Sequence, residues 1–167
     1  VSRTELHPAI PVAHEALGNF PGDFSVVAFL PHDNVAGVVM DSEQARAVVI
    51  VENTDGIWTA PGAIIGSPPP ERPREPATPD HLPLARMNRK RTGQVDAAGN
   101  WVGDVWYAVT GLAAEDATEI AVIVGGHEYR EPIGDGGLAF AFARIHAEDE
   151  PVVFVHTRDG RAVRATH

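Results

Sequence analysis

Most of the chain reads with a period of two, apolar positions alternating with polar ones as they do along a strand. Residues 24–30, 35–40 and 46–52 are β-branched or aromatic runs, bounded by Pro31-His32-Asp33-Asn34 and by Asp41-Ser42. Asp55-Gly56 then tolerates the positive φ angles of a tight hairpin and turns the chain into a strand over 57–60. Further on, 101–110, 118–124, 128–133, 138–145 and 152–156 repeat the pattern, with Asp135-Gly136-Gly137 and Arg158-Asp159-Gly160 as turns. Within 101–110, alternation sets Trp101, Val105, Tyr107 and Val109 on one face and Val102, Asp104, Trp106 and Thr110 on the other. Leu138, Phe140 and Phe142 alternate with Ala139, Ala141 and Ala143, which fits a strand covered on both sides with a layer approaching the alanines closely. A helical pattern is confined to 12–17.

Many short strands, Gly/Pro/Asp turns and almost no helix predict an all-β fold: an antiparallel β-sandwich, immunoglobulin-like or related, with a short irregular or helical N-terminal segment. The predicted organisation is one domain. Residues 1–23 pack on the body, 24–65 form the first half of the sandwich, 66–83 a proline-rich surface loop, and 84–167 the second half. Seven prolines within 66–83 remove the backbone donors a ladder needs. That stretch is either a loop crossing the surface or a ligand for an aromatic groove that reads polyproline helices.

Composition narrows the function classes. The net charge is −10, and of the 13 basic residues only Arg86, Arg89, Lys90 and Arg91 cluster, so nucleic acid is not an expected partner. The absence of cysteine removes disulfides, thiolate nucleophiles and zinc–thiolate sites together. The longest apolar runs fall far short of the roughly 20 residues of a membrane span, so no membrane insertion is expected. Two readings of Val1 stay open. A leader-trimmed start implies an extracytoplasmic protein, and a non-AUG start codon a cytoplasmic one.

No motif for chemistry stands out. Ser2, Ser25, Ser42 and Ser67 lie outside any nucleophile elbow. The eight histidines lack both the i, i+4 helical spacing and the His-x-His strand spacing of metal sites, so neither metal nor cofactor is expected. His146-Ala147-Glu148-Asp149-Glu150 reads as a solvated turn between strands. Two places carry candidate binding residues. Asp104 and Trp106 share a strand face, an acid beside an aromatic as in a sugar site. His127 and Tyr129 share another, in what is otherwise an exposed edge hairpin. Trp58 and Trp101 are expected as core anchors.

Residues 101–165 add a resemblance. Gly111-Leu112, the run from Ala117 to Val124, Asp135-Gly136-Gly137-Leu138-Ala139-Phe140, and the closing Val155-His156-Thr157-Arg158-Asp159-Gly160-Arg161 carry it. In this order they resemble the extracytoplasmic β-sandwich domains of uncharacterised actinobacterial membrane or secreted proteins. The leader or transmembrane helix expected with such domains is not displayed by this sequence. The resemblance implies no activity and transfers no catalytic residue.

The functional expectation is a non-enzymatic interaction, sensory or structural module, contacting a protein partner or a second copy of itself. Its alternatives are a hydrolase or metal-dependent enzyme assembled from dispersed His, Asp and Glu, and a carbohydrate-binding module using Trp106 and Asp104. Convergence of His127, His146, His156 and Asp104 on one pocket is the feature that separates them.

Overall fold

The computed structural model describes residues 7–68, 74, 76–77 and 83–165. The fold is all-β, with antiparallel sheets and one short N-terminal helix. Where the sequence suggests two halves of a single sandwich, the chain groups into two compact units, Val1–Pro69 and Pro70–His167, each with its own core cluster. No helix among the described residues is long and apolar enough to cross a membrane.

The first unit is a meander of four antiparallel strands, β1 (Ser25–His32), β2 (Val35–Asp41), β3 (Arg46–Thr54) and β4 (Ile57–Gly66), paired in sequence order. Helix α1 (Ala9–Leu17) lies on one face. Its buried Ala9, Ile10, Ala13 and Leu17 meet Ala36, Val38 and Met40 of β2 and Ala47, Val49 and Val51 of β3. The helix starts earlier than its apolar pattern because Pro8 and Pro11 fall at the cap and in the first turn, where no intrahelical donor is lost. The His7 ring packs against Phe29 and Trp58, and its Nδ1 accepts a hydrogen bond from the Ala9 amide at 3.1 Å. Strand β4 runs through Pro61, which an edge strand tolerates, and the register with β3 shifts between Ile50 and Glu52 at that point.

The second unit holds two antiparallel sheets. One orders β5 (Leu84–Val95), β6 (Trp101–Ala113) and β9 (Leu138–His146); the other orders β11 (Ala162–Arg164), β10 (Val152–Thr157), β7 (Ala117–Val124) and β8 (His127–Pro132). Their facing residues form one cluster. Val105, Tyr107 and Val109 of β6 and Ala139, Ala141, Ala143 and Ile145 of β9 join Ile120 and Val122 of β7 and Val153 and Val155 of β10. All of Leu138 to Ala143 is buried, as the large–small alternation predicts.

Two expectations need correction. Strand β5, rich in arginine, is an unpredicted edge partner of β6. Trp101 is 37% exposed and does not anchor the core. Gly103, at φ +67°, marks a two-residue register shift in the pairing of β6 with β5, which keeps the predicted alternation from Trp101 to Val105. Of the proline-rich stretch, residues 69–73, 75 and 78–82 lie outside the described residues. Arg74 and Ala77 are fastened to the second unit. Arg74 donates to the carbonyls of Ala113 and Ala114 at 3.0 and 2.9 Å, and the Ala77 amide donates to Asp116 at 3.0 Å.

Candidate functional site

Register builds the site. In the β6–β9 pair, Asp104 stands opposite His146 and Trp106 opposite Arg144. Asp104 and Trp106 are two residues apart, as are Arg144 and His146, so all four project from the same face of that sheet. Nδ1 of His146 lies 2.7 Å from Oδ1 of Asp104. A carboxylate accepts and does not donate when ionised, so Nδ1 is the ring nitrogen placed to bear a hydrogen toward Asp104. The Arg144 Nε is 3.6 Å from the second oxygen of Asp104, and its guanidinium carbon stands 5.6 Å from the Trp106 ring centroid.

The other wall comes from β8. Gly125-Gly126, both at positive φ, close a hairpin that pairs Val124 with His127 and Val122 with Tyr129. Alternation then turns His127 and Tyr129 to one side, with ring centroids 6.5 Å apart. β8 and β9 run beside one another as edge strands of the two sheets. Between them opens a cavity of about 410 Å³. Asp104, Arg144, His146 and Asp149 line one side, and Val124, His127 and Tyr129 the other.

Three of the four residues singled out from sequence, Asp104, His127 and Tyr129, therefore border one cavity. Trp106 does not. It lies beside the cavity with Arg144 over its ring and the edge of Phe142 at 5.8 Å. His146 does converge there, whereas His156 does not. On β10, His156 Nε2 is buried without a hydrogen-bond partner, 3.4 Å from the Glu128 carboxylate. Among the described residues, no three His, Cys, Asp or Glu side chains are grouped so as to hold a metal ion.

Arg144 and Asp149 were not legible as site residues. Arg144 reads as a charge ending an apolar strand, and Asp149 as part of a solvated turn. The useful signal is that Asp149 caps the backbone beside it: the His146 amide donates to Asp149 Oδ2 at 2.9 Å and the Asp149 amide to the His146 carbonyl at 3.0 Å. Nearby, on the core side of β6, the Tyr107 hydroxyl is buried without a well-formed hydrogen bond. Burial pushes its ionisation above the usual phenol value, and the Arg89 and Arg91 guanidiniums draw it part of the way back.

Against protein-family models, curated proteins and solved structures, the chain finds no match.

Proposed function

We propose that the chain is a non-enzymatic binding module whose second unit takes a neutral, ring-shaped polyhydroxylated ligand, a saccharide unit, in the cavity between β8 and β9. The observation that carries this reading is the division of labour across the cavity. Two rings, His127 and Tyr129, line one side, and charged hydrogen-bonding groups, Asp104, Arg144, His146 and Asp149, line the other. A pyranose has matching surfaces, C–H faces that pack on rings and hydroxyls that each donate and accept. The cavity volume falls within the roughly 300–1,000 Å³ of small-molecule sites. Two carboxylates beside a single guanidinium disfavour a phosphate or carboxylate ligand. The role assigned to Trp106 in the sequence reading passes to Tyr129.

The Asp104–His146 pair also has the arrangement of a general base held by its orienting acid. Among the described residues no serine, threonine or cysteine lines the cavity, so its walls supply no protein nucleophile for the pair to activate. Binding is the better reading.

Saturation-transfer NMR with methyl glycosides of glucose, galactose, mannose and N-acetylglucosamine tests it. At least one is expected to bind, with Asp104→Asn weakening the affinity by about tenfold or more, the order expected on losing a charge-assisted hydrogen bond. Tyr129→Ala is expected to weaken it comparably. The proposal falls if no glycoside binds, or if binding survives both substitutions unchanged.

A further inference from the structure

Arg91 sits on β5, opposite Tyr107 of β6, and contributes no wall to the cavity. Its guanidinium nevertheless reaches the turn that follows β9. Nη1 donates to the Ala147 carbonyl at 2.6 Å and Nη2 to the Asp149 carbonyl at 2.5 Å. The Ala147 amide is itself held by the Gly103 carbonyl at 2.8 Å. This turn joins two side chains of the cavity rim, His146 and Asp149.

We infer that Arg91 is the positioning residue of the rim: by clamping two carbonyls of the 147–149 turn, it holds the backbone just beyond the last ladder pair, steadying His146 against Asp104 and fixing where Asp149 faces the cavity. The inference rests on the cavity being the ligand site. A guanidinium suits the task because its N–H groups are fixed in one plane and satisfy two separated acceptors at once, whereas an ammonium is a single point charge on a flexible stem. Before the turn, His146 is still paired with Asp104 at the end of the β6–β9 ladder, and Ala147 packs against the core cluster. Among the described residues, the turn's remaining hydrogen bonds are the Gly103 contact and the reciprocal pair between His146 and Asp149, which travels with the turn rather than anchoring it. Releasing Arg91 therefore loosens the turn that follows the last ladder pair, and with it the hold on the His146 ring, without disturbing β8, which carries His127 and Tyr129.

The test is the tautomer of His146, read from long-range ¹H–¹⁵N correlations of the imidazole rings in the full chain. In the wild type, Nδ1 is expected to carry the hydrogen, because it faces the Asp104 carboxylate. In Arg91→Ala the His146 signature should move toward that of a solvent-exposed ring, with His127 unchanged. Arg91→Lys keeps the charge and the stem and guards against loss of folding; it should shift His146 in the same direction, by less. A His146 signature identical to wild type in either folded variant, accompanied only by a lower thermal midpoint, overturns the inference. The same samples are titrated with whichever methyl glycoside binds the wild type, with Arg91→Ala expected to weaken binding about tenfold through lost preorganisation. If no glycoside binds the wild type but the His146 signature still depends on Arg91, the saccharide reading fails and the positioning role stands.

Discussion

Replacing Tyr107 by phenylalanine should stabilise the second unit. The Tyr107 ring is 4% exposed and packs among Val105, Val109 and Val122 in the core cluster, yet its hydroxyl is buried without a well-formed hydrogen bond, the Arg89 guanidinium lying near it in poor geometry. A buried polar group left unmatched costs about 1–3 kcal/mol. Phenylalanine keeps the ring and removes the oxygen, leaving a void of roughly 10 Å³ that costs about 0.2 kcal/mol. The net expectation is a gain of about 1–3 kcal/mol, and about 4–8 °C in midpoint per kcal/mol for a unit of this size. The gain should also grow at high pH. Burial raises the Tyr107 pKa in the folded state above the unfolded value near 10, so the native form resists an ionisation that the unfolded chain accepts. That contribution is complete below about pH 10 and is lost as pH rises through the raised folded value, and only the wild type has it to lose. Differential scanning calorimetry at pH 7.5 and pH 10.5 reads both effects. A lower midpoint for Tyr107→Phe at pH 7.5 would show that the hydroxyl is paired, by the neighbouring Arg89 for example, and refute the reasoning. A difference that does not widen at pH 10.5 would refute the electrostatic half alone.

Gly137→Ala should be more damaging than Gly136→Ala. Both glycines have positive φ, +86° and +67°, but a methyl group at 137 would run into the Arg74 guanidinium while one at 136 meets nothing within 4 Å. Thermal melts should show the backbone cost of about 1–2 kcal/mol at 136 and an additional loss at 137. Equal losses would mean that Arg74 yields freely and that its bonds to Ala113 and Ala114 contribute little. Asp159 accepts hydrogen bonds from the Thr157 hydroxyl and from Arg161, and these hold its carboxyl below the usual carboxylate range. Its contribution is present above the ordinary value near 3.9 and is lost as pH falls through the lowered folded value, so the midpoint deficit of Asp159→Asn at pH 7 should close at pH 2. A constant deficit would assign the loss to geometry instead of charge.

Of the eleven strands among the described residues nine were legible, and all but β8 because they are partly or fully buried, which writes itself as alternation or as a continuous apolar run. Strand β8, exposed along nearly its whole length, was legible only from the glycines that bound it. The two that were missed lack that imprint. Strand β5 contributes Arg89, Lys90, Arg91 and Asn88 to a sheet edge, where charge is tolerated and useful against edge pairing, so its sequence resembles a loop. Strand β11 has three residues and is defined by its pairing with β10 alone. The Asp55-Gly56 and Asp159-Gly160 turns were legible for a local reason, since the positive φ of both glycines is a requirement of the turn and not of anything distant.

The site obeys a different logic. Face-sharing within one strand is a local property, which is why Asp104 could be grouped with Trp106 and His127 with Tyr129. Whether the two groups meet depends on which strands are neighbours and in what register, and neither is written locally. A shift of one residue between β6 and β9 would place Ile145 or Ala147 opposite Asp104, and the contact with His146 would not exist. That register is held in part by the β9 alternation of phenylalanine and alanine, whose alanines must face the core. The apolar pattern that made the fold readable thus also sets the polar contacts of the rim. Arg91 shows the reverse case: a residue on an unreadable strand, with no place in any motif, holds the turn on which two of the cavity's side chains depend.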